Sequence, residues 1–163
     1  MPSDLLTLVH RDHADLQLEL THLLDPGASI VELRSSLDGV RLGLTAHAEA
    51  EDIVLGPLLG KPALTLLITQ ARAAHLAQET ALSALVTSRP QTNAWRACAA
   101  HLRNLVAGHA QHEERHLFPV LRAQAEHYDE LAGQFATERM RQLSMLQPSA
   151  PIMMADLGRY SSI

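Results

Sequence analysis

The chain has 163 residues, enough for one domain with a real core, and 47% of them are hydrophobic against only 3% aromatic. Leu and Ala dominate while the β-branched and aromatic strand formers are scarce, which disfavours a sheet and points to packed helices. A net charge of −5 argues against a broad nucleic-acid surface, and no apolar run approaches a membrane span. The single cysteine, Cys98, excludes an internal disulfide and fits a reducing, cytoplasmic compartment. The opening "MPSDLLTLVHRDHADL" carries charges within its apolar pattern and resembles no signal peptide.

Helical periodicity predicts a first helix from about Asp4 to Leu24, with Leu6, Val9, His13, Leu16, Leu20 and Leu23 on one stripe. "DPGA" at Asp25 to Ala28 stops it, and Ser29 with Glu32 forms a capping box that opens a second helix. That helix runs to about Leu55 and aligns Val40, Leu44, His47, Glu51, Val54 and Leu58. "GPLLGKP" turns the corner into a third helix over about Ala63 to Thr87, which "SRPQT" ends. Thr92 or Asn93 caps a fourth helix reaching about Gln124, with Leu102, Leu105, His109, Glu113 and Val120 inward and Pro119 kinking its last turns. A shorter fifth helix is expected from about His127 to Met145. The domain then covers residues 1–146 and leaves an irregular tail over 147–163.

The ten histidines are the unusual feature of the composition, and their spacing is ordered. His13 precedes His47 by 34 residues, and His75 precedes His109 by 34. "HAEAEDIVLGP" from His47 and "HAQHEERHLFP" from His109 share His-Ala-x-x-Glu and a proline ten residues after the histidine. Helix one therefore maps onto helix three, and helix two onto helix four, at an offset of 62. A duplicated helical hairpin that closes into a pseudo-twofold, antiparallel four-helix bundle explains this register.

Residues four apart lie on one helix face, about 6 Å apart along the axis, so His47 points with Glu51 and His109 with Glu113. Both pairs interrupt stripes that are otherwise Leu and Val. A buried unpaired carboxylate costs several kcal/mol, about 2 or more, and a bound cation removes that penalty. With one inward histidine from each remaining helix, His13 and His75, six ligands become available. That set suits two divalent or trivalent ions sharing carboxylates, one ion leaning on each half of the repeat.

The order of one His, then His-x-x-x-Glu, then one His, then His-x-x-x-Glu resembles the hemerythrin-like HHE cation-binding family over roughly residues 4 to 125. The resemblance implies an antiparallel four-helix bundle enclosing a non-haem di-iron centre. It implies two iron ions, oxo- or hydroxo-bridged, held by His13, His47, Glu51, His75, His109 and Glu113, with Glu51 and Glu113 as bridges. The oxygen-carrying members have a second histidine one turn after the third-helix ligand, where this chain has Glu79; the matching position after His13 is Gln17. Their last carboxylate lies five residues after its histidine, which would select Glu114. On a regular helix position i+4 falls about 40° from His109 and i+5 about 140° from it, so Glu113 is the expected inward group.

Carboxylates favour the ferric state more than imidazole does, so this donor set points away from a reversible oxygen carrier. The expected function is binding of, and reaction with, dioxygen, peroxide or nitric oxide. The alternative is iron or oxygen sensing or storage without turnover, which would need a partner protein because no DNA-binding helix pair is present. A pocket leading to the centre would favour chemistry, and an exposed partner surface would favour sensing. A monomer or homodimer is expected. His10, His22, His101 and His127 are assigned to the surface or to helix ends, and His112 to an exposed position or one beside a ligand. His116 is a candidate for orienting a ligand or lining an entrance. Asp52 and Glu114 are expected to be solvated or to be partners of histidines, and Trp95 and Cys98 to be packing residues.

Overall fold

The computed structural model describes residues 4–147, so the predicted tail lies outside the described residues from position 148 onward. All regular structure among the described residues is helical: α1 (Leu5–His22), α2 (Ile30–Leu55), α3 (Pro62–Thr87), α4 (Asn93–His112), α5 (Phe118–Gln124) and α6 (Tyr128–Leu146). None of these helices is long and apolar enough to cross a membrane.

The local signals for the helix starts act as their chemistry requires. Ser29 Oγ accepts the Glu32 N–H at 3.2 Å while Glu32 Oε2 accepts the Ser29 N–H at 2.7 Å, so two otherwise unpaired donors at the start of α2 satisfy each other's residues. Thr92 caps α4 by accepting the Trp95 N–H, and Pro62 opens α3 where its missing N–H costs nothing.

The expected continuous fourth helix is instead divided. After His112 the backbone widens into one π turn over Glu113–Leu117, in which the Phe118 N–H reaches back to the Glu113 carbonyl, and α5 follows. Pro119 is the cause, since it has no N–H to give to Arg115 and its ring would strike that carbonyl in a regular helix. Pro57, its counterpart in the repeat, ends the other copy differently, within a tight 3-10 turn over Gly56–Gly60.

The four long helices pack in a closed ring, α1 on α2 and α4, and α3 on α4 and α2. Two apolar clusters occupy the interior. One gathers Leu5, Val9, Val54, Ile68, Leu117, Leu121 and Phe135, and the other Leu16, Leu20, Val40, Leu44, Leu85, Trp95, Leu102 and Val106. α1 and α3 pass from the first cluster to the second, whereas α2, and α4 continued through the π turn into α5, pass in the reverse sense. The predicted stripes are nearly in register. Leu6, Leu58, Leu105 and Val120 are only half-buried, while Leu5, Val106 and Leu121 take full core positions.

The fifth helix expected from about His127 to Met145 is α6, displaced by one residue, and its 19 residues match the 18 of α1 rather than falling short of them. It lies on α2, its most extensive neighbour, and also on α1, contributing Leu131, Ala132 and Phe135 to the first cluster. At the other end, Trp95 is 1% exposed and its indole N–H donates to the Leu23 carbonyl at 2.9 Å, tying the start of α4 to the end of α1.

Replacing Trp95 by Phe keeps most of the buried ring but removes that donor. We expect a loss of about 1–3 kcal/mol, the cost of stranding a buried carbonyl, with helix content unchanged. Urea denaturation followed by circular dichroism measures it, and an unchanged midpoint would show that the bond contributes nothing.

Candidate metal centre

Between the two apolar clusters lies one polar layer. His13 of α1, His47 and Glu51 of α2, His75 of α3, His109 of α4 and Glu113 at the start of the π turn all enter it, and none is more than 6% exposed. The four imidazoles form a quadrilateral with one corner from each long helix. Ring centroids lie 4.7 Å apart for His13–His47 and for His75–His109, and 5.7 Å and 6.2 Å apart for His13–His109 and His47–His75.

The donor atoms of His13, His47, His109 and Glu113 all lie within 4.8 Å of one another, and so do those of His47, Glu51, His75 and His109. Together the two groups contain all six residues singled out by the sequence pattern. They do not divide by repeat as expected, because each draws on both hairpins and His47 and His109 belong to both. Opposed corners of the bundle are close enough to be shared.

The interior offers these groups almost no hydrogen bonds. His109 Nε2 lies 3.2 Å from Glu113 Oε1, His47 Nε2 3.4 Å from Glu51 Oε2, and His13 Nε2 3.5 Å from Glu113 Oε2. None of these approaches is aligned as a hydrogen bond, so both carboxylate oxygens of Glu51 and of Glu113 lack a partner among the described residues. His75 Nε2 and His109 Nε2 face each other at 3.0 Å. Four carboxylate oxygens and inward ring nitrogens converging without donors are what a cation in the layer would satisfy, and the mixed N/O set suits first-row transition metals.

Groups at the edge of the layer fix how the rings point. Asp12 Oδ2 lies 3.3 Å from His47 Nδ1 and accepts from Arg139 Nε at 2.6 Å, while Asp52 Oδ1 lies 2.9 Å from His75 Nδ1. In both cases the carboxylate holds the proton on Nδ1 and turns the Nε2 lone pair inward, the tautomer that metal binding requires. Arg72 Nη2 in turn donates to the Asp52 carbonyl at 3.1 Å. Its guanidinium passes so close to Gly56 that a Cβ there would sit 2.9 Å from Nη2. Phe135 packs edge-on against the His47 ring at 5.7 Å.

Asp12, Arg139 and Phe135 were not expected from the sequence. Asp12 sits in the charged run "RDHAD", yet it is buried and accepts from Arg139 of α6.

Burial, followed by repulsion from the neighbouring imidazoles, lowers the His13 and His109 pKa values to about 2, so both are neutral donors. Burial acts on His75 in the same direction, but the Asp52 hydrogen bond and the charges of Glu51 and Asp52 outweigh it and raise its pKa. Glu113 is driven well above the ordinary carboxylate range, first by burial and then by the charge of Glu51.

Elsewhere the expected divisions are visible. Glu114 is exposed and pairs with exposed His10 at 2.7 Å, although its counterpart Asp52 pairs with a histidine of the layer. The π turn begins at Glu113, so the span from His109 keeps α-helical phase: Glu113 stays inward and Glu114 points out. His22, His101 and His127 are exposed, as is Glu79. His112 is half-buried and reaches Gln70, His116 is exposed beside it, and Gln17 donates to the Arg103 carbonyl. Cys98 is half-buried against Ser88.

Two outcomes follow. Glu113→Gln should abolish metal retention, whereas Glu114→Gln should leave metal content unchanged; elemental analysis of the purified variants decides this, and the reverse pattern would move the site outward. In chelated protein, the depressed His13 and His109 values give stability that is present above pH 6.5 and lost on acidification towards pH 2. Raised Glu113 opposes them, losing stability as pH rises above 4.5. His75, also raised, adds no slope in that window, because its stabilisation is fully present below pH 6.5 and is lost only at higher pH. Two depressed histidines oppose one raised carboxyl between pH 4.5 and 6.5, so stability should fall on acidification across that window. Urea midpoints across that range check it, and a flat profile would contradict the buried, neutral histidines.

The hemerythrin HHE cation binding domain model matches residues 1–121. That span contains α1 to α4 and all six inward residues and stops before α6. No curated protein and no solved structure was found to match the chain. On the family match, the chain belongs to the hemerythrin HHE cation-binding domain family.

Proposed function

We propose that this chain is a cytoplasmic non-haem di-iron protein that binds dioxygen, peroxide or nitric oxide at its His/carboxylate layer and reacts with it. One observation carries this reading: two overlapping four-residue groups, each with a buried carboxylate that has no other partner. A single ion would leave one carboxylate stranded, while two ions employ both. In this reading His13, His47, Glu51, His75, His109 and Glu113 would hold the ions, with one of the two carboxylates in each group. The alternating sense in which α1, α2, α3 and the run from α4 into α5 cross the interior supports an antiparallel four-helix bundle around them.

Bound there, iron supplies the electrons and open coordination positions that diatomic oxygen, peroxide or nitric oxide need. The chain's own part is to hold and shield. Asp12 and Asp52 keep the His47 and His75 rings turned inward, Phe135 closes the layer beside His47, and the apolar clusters above and below exclude water.

Protein purified under mild conditions should contain two irons per chain and show near-ultraviolet absorption from a bridged pair. Chelation should lower the thermal midpoint markedly, because binding only to the native state adds directly to stability. At a thousandfold excess over Kd the gain is about 4 kcal/mol, which is roughly 10 °C for a domain of this size. One ion per chain, a different metal in full occupancy, or equal midpoints with and without metal would contradict the reading.

A further inference from the structure

α2 and α3 pack less extensively than the other neighbouring pairs of the ring, and the gap between them is a cavity of about 220 Å³. Leu44, Ala48, Leu76 and Leu82 supply the apolar part of its walls, and His75 and Gln78 are its most buried polar lining residues. Gln78 is 1% exposed, and neither its amide oxygen nor its nitrogen has a hydrogen-bond partner among the described residues. An unpartnered buried amide costs the fold stability, and leucine would fill the same space without that cost. Leu16, the counterpart of Gln78 in the repeat, shows that the position accepts leucine, since it lies buried in the second apolar cluster. The hollows beside His13 and His109 are more open to solvent, and the unpartnered ring nitrogens of His13 there belong to the metal layer already described.

The rim sets the charge of a suitable occupant. Glu49, Glu79 and Asp52 line it, and Arg72 is the cation among the lining residues, already engaged with Asp52. Such a mouth repels anions and admits neutral or cationic molecules. The volume exceeds the roughly 150 Å³ that accommodates benzene, so an occupant of about ten non-hydrogen atoms fits.

We propose that the α2–α3 cavity is a substrate site for a small neutral or cationic organic molecule whose hydroxyl or amide group pairs with Gln78, placing the molecule against His75 at the edge of the metal centre. Its role as a substrate site rests on the di-iron reading above; its ability to bind such molecules does not.

Three probes of nearly equal shape and different charge test the site: benzamide, the benzamidinium cation and benzoate. Calorimetric titration of the protein as purified should show millimolar or tighter binding of the first two and binding of benzoate weaker by about tenfold or more. Gln78→Leu should weaken benzamide by about tenfold or more while raising the thermal midpoint and leaving metal content unchanged. Thr45→Phe, which fills the cavity from the opposite wall, should also abolish binding and thus gives an independent reading if one variant folds poorly. Equal benzamide affinity in Gln78→Leu, benzoate binding as tightly as benzamide, or no binding of any probe would overturn the proposal. Two irons per chain with no probe binding would remove the cavity's role alone. Gln78-dependent binding in a protein that never holds iron would leave the site standing and remove the di-iron reading.

Discussion

Two carboxylates buried in the middle of an otherwise apolar interior set the terms for the rest of this molecule. Glu51 and Glu113 are at most 2% exposed, and none of their oxygens has a hydrogen-bond partner among the described residues. Placing such groups in a core is unfavourable unless protons or cations neutralise them, and the raised pKa of Glu113 expresses that pressure. His13 and His109 do not supply the missing charge, because the same burial holds them neutral. A cation would engage the unpartnered oxygens of both carboxylates at once, and the layer's nitrogen and oxygen donors select the kind of ion.

The apolar clusters on either side give the layer its precision. Each long helix enters it between fully buried residues, such as Val9 and Leu16 around His13 or Leu44 and Ala50 around His47. A close-packed interior permits little rotation or sliding of these segments, so the donor atoms keep their mutual distances. α6 adds a brace that the family-matched segment does not contain, joining Arg139 to Asp12 and through it to His47, with Phe135 against the same ring. Asp52 serves His75 from within the ring of long helices.

Much of this was legible in the sequence because it depends on local periodicity. The histidine spacing and the i, i+4 His/Glu pairs place six side chains on inward stripes without knowledge of any neighbour. The capping box at Ser29 and the disruption at Pro119 are likewise local. What escaped notice depends on packing between elements. Asp12 is buried with Arg139 of α6 as a partner, and nothing in a single helix says that α6 will lie along α2. The two Pro positions look equivalent, yet one yields a 3-10 turn and the other a π turn, since "GPLLG" leaves the bundle where "FPVL" continues into it. Gln78 shares a face with His75, but a lone amide in a helix carries no chemistry that singles it out. Its burial depends on how α3 is packed.

The central claim is that the polar layer holds two iron ions, each within one of the two four-residue groups. Diffraction from crystals of the protein as purified, recorded on either side of the iron absorption edge, tests this most directly. Two anomalous peaks are expected, one within reach of His13, His47, His109 and Glu113 and the other within reach of His47, Glu51, His75 and His109. A single peak, or peaks outside this layer, would contradict it.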